Sequence, residues 1–154
     1  MTHIIHGERI GKQGKLRVGC SAAIFNEHGQ VLLTRRADNG QWCLPSGGME
    51  PGESPSEACA REVEEETGLK VRILRLVGVY SDPNQLVVYP DGNKVQIVAI
   101  HFTAEVTGGT LGLSDETTAY GWFAPNELDG MDIIGNHKQR IIDARSGRES
   151  GFFE

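Results

Sequence analysis

The spacing of apolar and polar residues along the chain predicts a protein with more strands than helices. Two apolar segments, 17–25 and 31–36, lie on either side of the turn-forming sequence NEHGQ and together predict a β-hairpin. Three later segments, 70–83, 93–109 and 117–124, have the β-branched and aromatic content of strands. Because strands and helices do not alternate regularly, the pattern favours an α+β fold with a mixed sheet over a doubly wound sheet.

One segment, residues 55–67, has the start and stop signals of a helix. Ser54 is suited to cap its first turn, and Glu57 follows three residues later as in a capping box. Gly68 is placed to end the helix. The other predictions are a loop over 37–54 with one short strand near its centre, a turn at Asp91-Gly92, a short helical turn over 125–130 and an amphipathic helix over 136–146.

Composition narrows the class of protein. A net charge of -6 argues against binding to duplex nucleic acid, which requires cations to neutralise phosphates. No apolar stretch reaches the roughly 20 residues of a membrane span and the N-terminus lacks a secretory signal, so a cytoplasmic location is expected.

The three cysteines, Cys20, Cys43 and Cys59, do not have the spacing of a metal site and are expected to be buried thiols.

The predicted helix carries four glutamates within five positions, and helical geometry separates them. At about 100° per residue, Glu62, Glu65 and Glu66 share one face, whereas Glu64 points away. Such a face is most simply explained as a solvated surface. However, carboxylates near a helix C-terminus are opposed by the macrodipole as well as by one another. A divalent cation would relieve both effects, and oxygen ligands select Mg²⁺, Mn²⁺ or Ca²⁺ over zinc.

A longer pattern surrounds this helix, with the spacing G-x5-E-x7-R-E-U-x-E-E-x-G-U, where U is a bulky aliphatic residue. The matching residues are Gly47, Glu53, Arg61, Glu62, Val63, Glu65, Glu66, Gly68 and Leu69. The pattern resembles the Nudix box, the signature of the Nudix hydrolases, with every fixed position filled. The flanking sequences VLLTRRADNGQWCLP and ETTAYGWFAPNEL are also similar to that family, so the resemblance covers about residues 17–145.

The resemblance implies a single domain over residues 1–154, built as an α/β/α sandwich in which a mixed β-sheet is flanked by helices. The box would form a loop-helix-loop within it. Residues 1–16 are expected to form an N-terminal segment before a core of about 17–145, and residues 147–154 are expected to be a frayed tail.

The activity that the resemblance implies is hydrolysis of a nucleoside diphosphate linked to another moiety, with Mg²⁺ or Mn²⁺ as cofactor. The groups that would hold the metal are Glu53, Glu62, Glu65, Glu66 and the loop backbone at Gly47. Arg61 would keep a box carboxylate in place, and the general base is left open among the box glutamates. ADP-ribose or a nucleotide sugar is the first substrate class and a (d)NTP the second. No stable nucleic-acid or membrane partner is expected, and a homodimer is common in similar proteins.

Five residues outside the box are further candidates. Glu116 resembles an extra metal ligand or catalytic base, and is otherwise an exposed loop acid. Arg35 and Arg36 are candidates for binding phosphate, and are otherwise a solvated pair. Pro83, about fifteen residues beyond the box, resembles a marker of enzymes acting on ADP-ribose, and is otherwise a strand breaker. Tyr80 is a candidate for stacking on a base, and is otherwise a packing residue.

Two points stay open at the level of sequence. Ser46 stands where the family usually has a glycine, and it would be strained if that position required a positive φ. The chain is also compatible with a nucleotide-sensing module that has lost turnover, although drift should first erode the carboxylates. A simple Ca²⁺-binding or structural acidic helix would not require Gly47, Glu53 and Arg61 at their spacings.

Overall fold

The computed structural model describes residues 2–153, within which the chain forms two sheets and two α-helices. The strands are β1 (His3–His6), β2 (Lys15–Ile24), β3 (Val31–Arg36), β4 (Trp42–Cys43), β5 (Ser46–Gly48), β6 (Leu69–Tyr80), β7 (Gln85–Val88), β8 (Lys94–Gly109), β9 (Thr117–Phe123) and β10 (Phe152–Phe153). The helices are α1 (Pro55–Thr67) and α2 (His137–Arg145), with 3-10 helices at Ile10–Gln13 and Pro125–Gly130. The predicted domain also includes Met1 and Glu154, which lie outside the described residues.

Strand β8 is the centre of the larger sheet, which has seven strands within residues 2–153. Along one edge β8 pairs in parallel with β2, and along the other it pairs antiparallel with β6 and β7. Strand β5 extends the sheet beyond β2, and β1 extends it beyond β7. The smaller sheet has the order β4-β3-β9. Parallel and antiparallel pairs coexist in the larger sheet, so the predicted mixed sheet is confirmed.

The helices cover opposite faces of the larger sheet, because alternate residues of β2 point in opposite directions. Cys20, Ala22 and Ile24 belong to one buried cluster together with Ala58, Cys59 and Val63 of α1. Ala23 belongs to a second cluster, the α2 core cluster, together with Ile141 and Ala144 of α2. The predicted α/β/α sandwich is therefore confirmed. All three cysteines are buried and unpaired, as expected.

Helix α1 has the predicted ends. The Glu57 amide donates to Ser54 Oγ at 3.2 Å, and the Ser54 amide donates to Glu57 Oε1 at 2.9 Å, which completes the capping box. At the other end Gly68 has a φ of 79°, and its amide donates to the Glu64 carbonyl at 2.8 Å. A residue with a side chain is disfavoured in that left-handed conformation, which explains the glycine.

The predicted β2–β3 hairpin is wrong. The turn is present, since the Asn26 amide donates to the Gln30 carbonyl, but after one bridge between Phe25 and Val31 the strands enter different sheets. Strand β2 pairs with β5 and β8, whereas β3 pairs with β4 and β9. Both strands are buried on both faces next to the turn, so their residue pattern contains no signal for which neighbour each will take.

The predicted frayed tail is also wrong for its apolar part. Phe152 and Phe153 form β10, which pairs in parallel with Gly78 and Val79 of β6. The Phe152 ring packs against the α2 core cluster and lies 4.4 Å from the Arg148 guanidinium. Without β10, the backbone N–H and C=O groups at this edge of β6 would be unpaired, and the tail binds to them. A sequence pattern does not show which strand edges are free, so it could not predict this pairing.

The loop over 37–54 was predicted to contain one short strand and contains two, β4 and β5, whereas the other predicted strands, the turn and the helical segments are confirmed. The Asp91-Gly92 turn closes the hairpin of β7 and β8, with the Tyr89 amide donating to the Asn93 carbonyl at 2.9 Å. The predicted helical segments appear as the 3-10 helix Pro125–Gly130 and as α2. Neither α-helix in the described part of the chain has the length and apolar character needed to cross a membrane.

Candidate active site

Strand β5 brings the first residue of the box to the edge of the larger sheet, where Gly47 pairs with Cys20. A Cβ built on Gly47 would lie 2.1 Å from the carboxyl carbon of Glu62. No side chain can occupy that space while the carboxylate is there. The glycine at the first box position therefore provides the room in which the Glu62 carboxylate lies against the loop.

Arg61 connects three carboxylates to the loop. Its Nε and Nη2 donate to the two oxygens of Glu53 at 2.7 and 2.8 Å. Its Nη1 donates to Glu62 at 2.9 Å and to Glu65 at 3.2 Å, and its Nη2 also donates to the Gly48 carbonyl at 3.0 Å. One guanidinium thus fixes the position of acidic groups from the loop and from one face of α1.

Glu66 lies apart from Arg61, on the side of α1 that meets the smaller sheet. Its carboxylate accepts hydrogen bonds from Thr34 Oγ1 at 2.9 Å and from the Ser46 amide at 3.2 Å. Burial raises the pKa of Glu66 to about 7, and the charges of Glu62 and Glu116 act in the same direction against those two hydrogen bonds. Ser46 does not have a positive φ, so the residue that replaces the usual glycine is not strained.

The charges at the site are not balanced. The pKa of Glu62 is raised, first by burial and further by Glu65 and Glu116, although Arg61 acts against this. The pKa of Glu53 is lowered by its hydrogen bonds from Arg61. Glu116 stands beside β3, where its carbonyl accepts from the Ala37 amide, and its charge acts on the half-buried Glu62 and Glu66. The site therefore holds more negative charge than Arg61 compensates.

The donor set fits a hard divalent cation. All the side chains concerned offer carboxylate oxygens, which suit Mg²⁺ or Mn²⁺. Neither Glu66 nor Glu116 forms an ion pair within the described residues, so their charges are available to a cation. Among residues 2–153 no three acidic, histidine or cysteine side chains already converge on one point. The carboxylates gather around Arg61 instead, and a bound cation would have to draw some of them away from it.

The two candidate arginines differ in their relation to these carboxylates. Arg36 forms two hydrogen bonds with Asp38, at 2.9 and 2.8 Å. These bonds raise the pKa of Arg36, and the Glu66 charge makes a smaller contribution in the same direction, which places Arg36 beside the site. Arg35 donates from Nε to the Gly40 carbonyl at 2.9 Å, so it is engaged with its own loop.

Tyr80 and Pro83 are not brought to the carboxylates. The Tyr80 ring is 2% exposed, and its hydroxyl donates to Asp143 at 2.6 Å, which leaves no free face for a base. The Pro83 carbonyl accepts from the Gly11 amide at 3.0 Å. Tyr80 is at the end of β6, and Gly47 is in β5. Strands β8 and β2 lie between these two strands, so β6 and β5 are three strand spacings, or about 14 Å, apart.

The structure shows one supporting contact that the sequence does not indicate. His137 Nδ1, at the start of α2, accepts a hydrogen bond from the Leu44 amide at 3.0 Å. Behind it, Ser21 Oγ lies 2.7 Å from Nδ1 of the fully buried His101. The hydrogen bond between Leu44 and His137 fixes the segment that leads into β5. No spacing of the five histidines predicts it, because the two partners are 93 residues apart in the chain.

Known proteins resemble this chain over most of its length. The sequence model of the NUDIX domain matches residues 15–144. The ADP-ribose pyrophosphatase of Methanocaldococcus jannaschii is 37% identical over 123 residues, covering 78% of this chain and 68% of that protein. The nucleoside triphosphatase NudI of Escherichia coli is 31% identical over 118 residues, covering 71% and 84%. A NUDIX hydrolase structure from Nitrosomonas europaea has a TM-score of 0.74 at 25% identity, covering 90% of this chain and 94% of that chain.

The chain has a mixed sheet between helices, and the carboxylates of α1 lie beside β5 at the edge of that sheet. This is the architecture of the Nudix hydrolases. The chain belongs to the Nudix hydrolase family. It is an enzyme of the class that hydrolyses phosphoric anhydrides. Such enzymes act on small nucleotides and generally need a divalent metal ion.

Proposed function

We propose that this enzyme hydrolyses the pyrophosphate bond of a nucleoside diphosphate derivative with Mg²⁺ or Mn²⁺ bound at the box carboxylates. The observation that carries the proposal is the placement of the Glu62 carboxylate against Gly47 and near Glu66. The carboxylates at this site carry more negative charge than Arg61 compensates. A structural helix would not need a glycine-lined space for a carboxylate. A site that binds a cation and then an anionic substrate would.

The residues have separate tasks in this proposal. Glu62, Glu65, Glu66 and Glu53 would hold the cation, with Glu116 as a further ligand. Arg61 keeps the loop at Gly48 and the carboxylate of Glu53 in position relative to α1. A bound Mg²⁺ or Mn²⁺ would neutralise pyrophosphate oxygens and lower the pKa of an attacking water.

The reaction needs one water molecule. Its oxygen bonds to one phosphorus, the bond from that phosphorus to the bridging oxygen breaks, and two phosphorylated products leave. The proton released by the water is accepted by one of the box carboxylates, for which Glu62, Glu65 and Glu66 are the candidates.

Two substrate classes are supported by the relatives. ADP-ribose is supported by the name of the Methanocaldococcus jannaschii protein, and a nucleoside triphosphate by the name of the Escherichia coli protein. Pro83, the residue that resembles a marker of enzymes acting on ADP-ribose, is not brought to the carboxylates and adds no support to the first class.

The test is incubation of the protein with Mg²⁺ or Mn²⁺ and a panel of ADP-ribose, nucleotide sugars, dinucleoside polyphosphates and (d)NTPs, with products identified by mass. We expect cleavage at a phosphoric anhydride that depends on the cation. Absence of cleavage with both cations would support the nucleotide-sensing module in place of the enzyme.

A further inference from the structure

A groove of about 630 Å³ lies at the start of β2, beside the turn that joins β7 to β8. It is lined by Lys15 and Arg17 from β2, by Lys94 from β8, and by Tyr89 at the turn of the β7–β8 hairpin. Its volume is in the range of about 300–1,000 Å³ that is usual for small-molecule sites. The groove is open to solvent, and its chemistry is cationic and aromatic.

The cations of the groove have no acidic partners. No carboxylate within residues 2–153 forms an ion pair with Lys15, Arg17 or Lys94. Asp91 also lines the groove, but its carboxylate accepts hydrogen bonds from the amide and side chain of Asn93, at 2.9 and 2.7 Å. Three positive charges and one negative charge thus line one concave surface, which is net cationic in a chain whose net charge is -6.

Arg17 is held over Tyr89 and points toward the catalytic loop. Its Nη1 donates to the Tyr89 hydroxyl at 3.3 Å, and its guanidinium carbon lies 5.6 Å from the ring centroid. A Cβ built on Gly48 would be 2.8 Å from Arg17 Nη2, while the Gly48 carbonyl accepts from Arg61. The backbone of one glycine therefore separates the groove from the residue that organises the box carboxylates.

From this arrangement we propose that the groove is a subsite for phosphate groups of the substrate beyond the bond that is cleaved. Arg17 presents a planar set of donors that matches phosphate oxygens, and the two lysines add charge. A substrate that ends in a neutral sugar leaves the groove unused, whereas a nucleoside triphosphate or dinucleoside polyphosphate fills it. This inference rests on the proposed function and ranks the triphosphate class above ADP-ribose.

The first test compares steady-state kinetics of Arg17→Ala and Lys15→Ala with those of the wild-type enzyme, on a (d)NTP and on ADP-ribose. We expect each change to raise KM for the triphosphate about tenfold, with a smaller effect on kcat, because a charge-assisted contact to phosphate is lost. The loss on ADP-ribose should be several-fold smaller. Arg17→Lys should recover part of the lost affinity, since it retains the charge without the planar set of donors.

Lys70→Ala is the matched control, because Lys70 is an exposed cation on β6 that does not line the groove. Like Lys15→Ala, it lowers the positive charge of the protein by one. We expect it to leave KM for the triphosphate within twofold of the wild-type value. An equal effect of Lys70→Ala and Lys15→Ala would show that only overall charge matters, and would overturn the subsite.

A binding experiment separates this inference from the proposed function. Inorganic tripolyphosphate is titrated calorimetrically into the wild-type protein and Arg17→Ala, in EDTA and at low salt. Tighter binding by the wild-type protein supports the subsite even if no substrate in the panel is cleaved, which would overturn only the proposed function. Cleavage of triphosphates with equal tripolyphosphate binding and equal KM in both proteins would overturn the subsite alone.

Discussion

At the scale of single residues, three glutamates on one face of α1 have three different environments. The Glu65 side chain is 61% exposed, and its carboxylate accepts a hydrogen bond from Arg61 at 3.2 Å. Glu62 lies in the space left by Gly47, and Glu66 is enclosed between Thr34 and the backbone of Ser46. Helical spacing predicts that the three share a face. It does not predict which are enclosed, because the enclosing groups come from β3 and β5.

The box carboxylates can be tested against a neighbour on the same helix. Glu66→Gln should lower kcat by about 10²–10⁴-fold, because it removes a proposed cation ligand and a candidate proton acceptor. Glu65→Gln should also lower kcat by orders of magnitude. Glu64→Gln is the control, since Glu64 is exposed on the other side of α1, and its kcat should match that of the wild-type enzyme.

Steady-state assays with saturating Mg²⁺ give these rates, and circular dichroism checks that each variant is folded. Thermal unfolding in EDTA adds a second measurement. Glu66→Gln should unfold at a temperature equal to or above that of the wild-type protein, since a buried charge has been removed. Full Mg²⁺-dependent turnover in both Glu65→Gln and Glu66→Gln would contradict the assignment of the site.

Gly47→Ala tests the space beside Glu62. The new methyl group would overlap the carboxyl group, which lies at the end of a flexible side chain and can move away. We therefore expect kcat/KM to fall about tenfold to a hundredfold through misplacement of Glu62, with the free energy of unfolding changed by less than about 1 kcal/mol. Gly112→Ala is the control, because a Cβ there meets no atom within 4 Å and the φ of Gly112 is not positive.

At the scale of elements, α1 was predictable because its signals are local. Ser54, Glu57 and Gly68 act within one turn of the positions they cap, so sequence spacing is enough. The partners of β2 and β3 are set by strands far away in the chain, and the predicted hairpin failed for that reason. The pairing of β10 could not be predicted for the same reason, since it depends on a free edge of β6.

Two adjacent phenylalanines test whether the tail is docked. Phe152 packs against the α2 core cluster, whereas Phe153 is 85% exposed. Phe152→Ala should lower the free energy of unfolding by about 1–2 kcal/mol through lost apolar burial. Phe153→Ala should lower it by less than about 0.5 kcal/mol. Chemical denaturation measures both changes in the free energy of unfolding. Equal and small changes would show that the tail is frayed, as its sequence predicts.

At the scale of the whole molecule, the α2 face of the larger sheet contains a buried polar group of residues. Burial lowers the pKa of His101 to about 3, with the Arg140 charge adding to the effect. Burial likewise holds the pKa of His137 well below its usual range, and Arg140 again adds repulsion. Both histidines are therefore neutral in the folded enzyme at pH values where the unfolded chain binds protons.

Stability should consequently depend on pH. Between about pH 6.5 and pH 5 the unfolded state binds more protons than the folded state, so stability falls as the pH is lowered. Each such histidine contributes up to about 1.4 kcal/mol per pH unit below 6.5. The raised pKa of Glu66 acts in the opposite direction throughout this range, so the informative quantity is a difference between variants.

Denaturant unfolding of the wild-type protein and His101→Gln across this range provides that difference. The variant should lose stability less steeply on acidification, because one source of proton uptake on unfolding is gone. His28→Gln, which removes an exposed histidine, is the control for a change at the surface. Identical slopes for the wild-type protein and His101→Gln would show that His101 does not contribute.

The parallel pairing of β2 with β8 also determines when the enzyme can form during synthesis. Lys15 is paired with Val95 and Ile24 with Ala104, so β2 leaves the ribosome about eighty residues before its principal partner. Contacts of such sequence separation form slowly. The surface on which α1 rests includes Phe102 and Ala104 of β8 as well as β2. Helix α1 therefore has no complete support until about two-thirds of the chain has been made, and nascent chains must pass through that interval with the apolar residues of β2 unprotected.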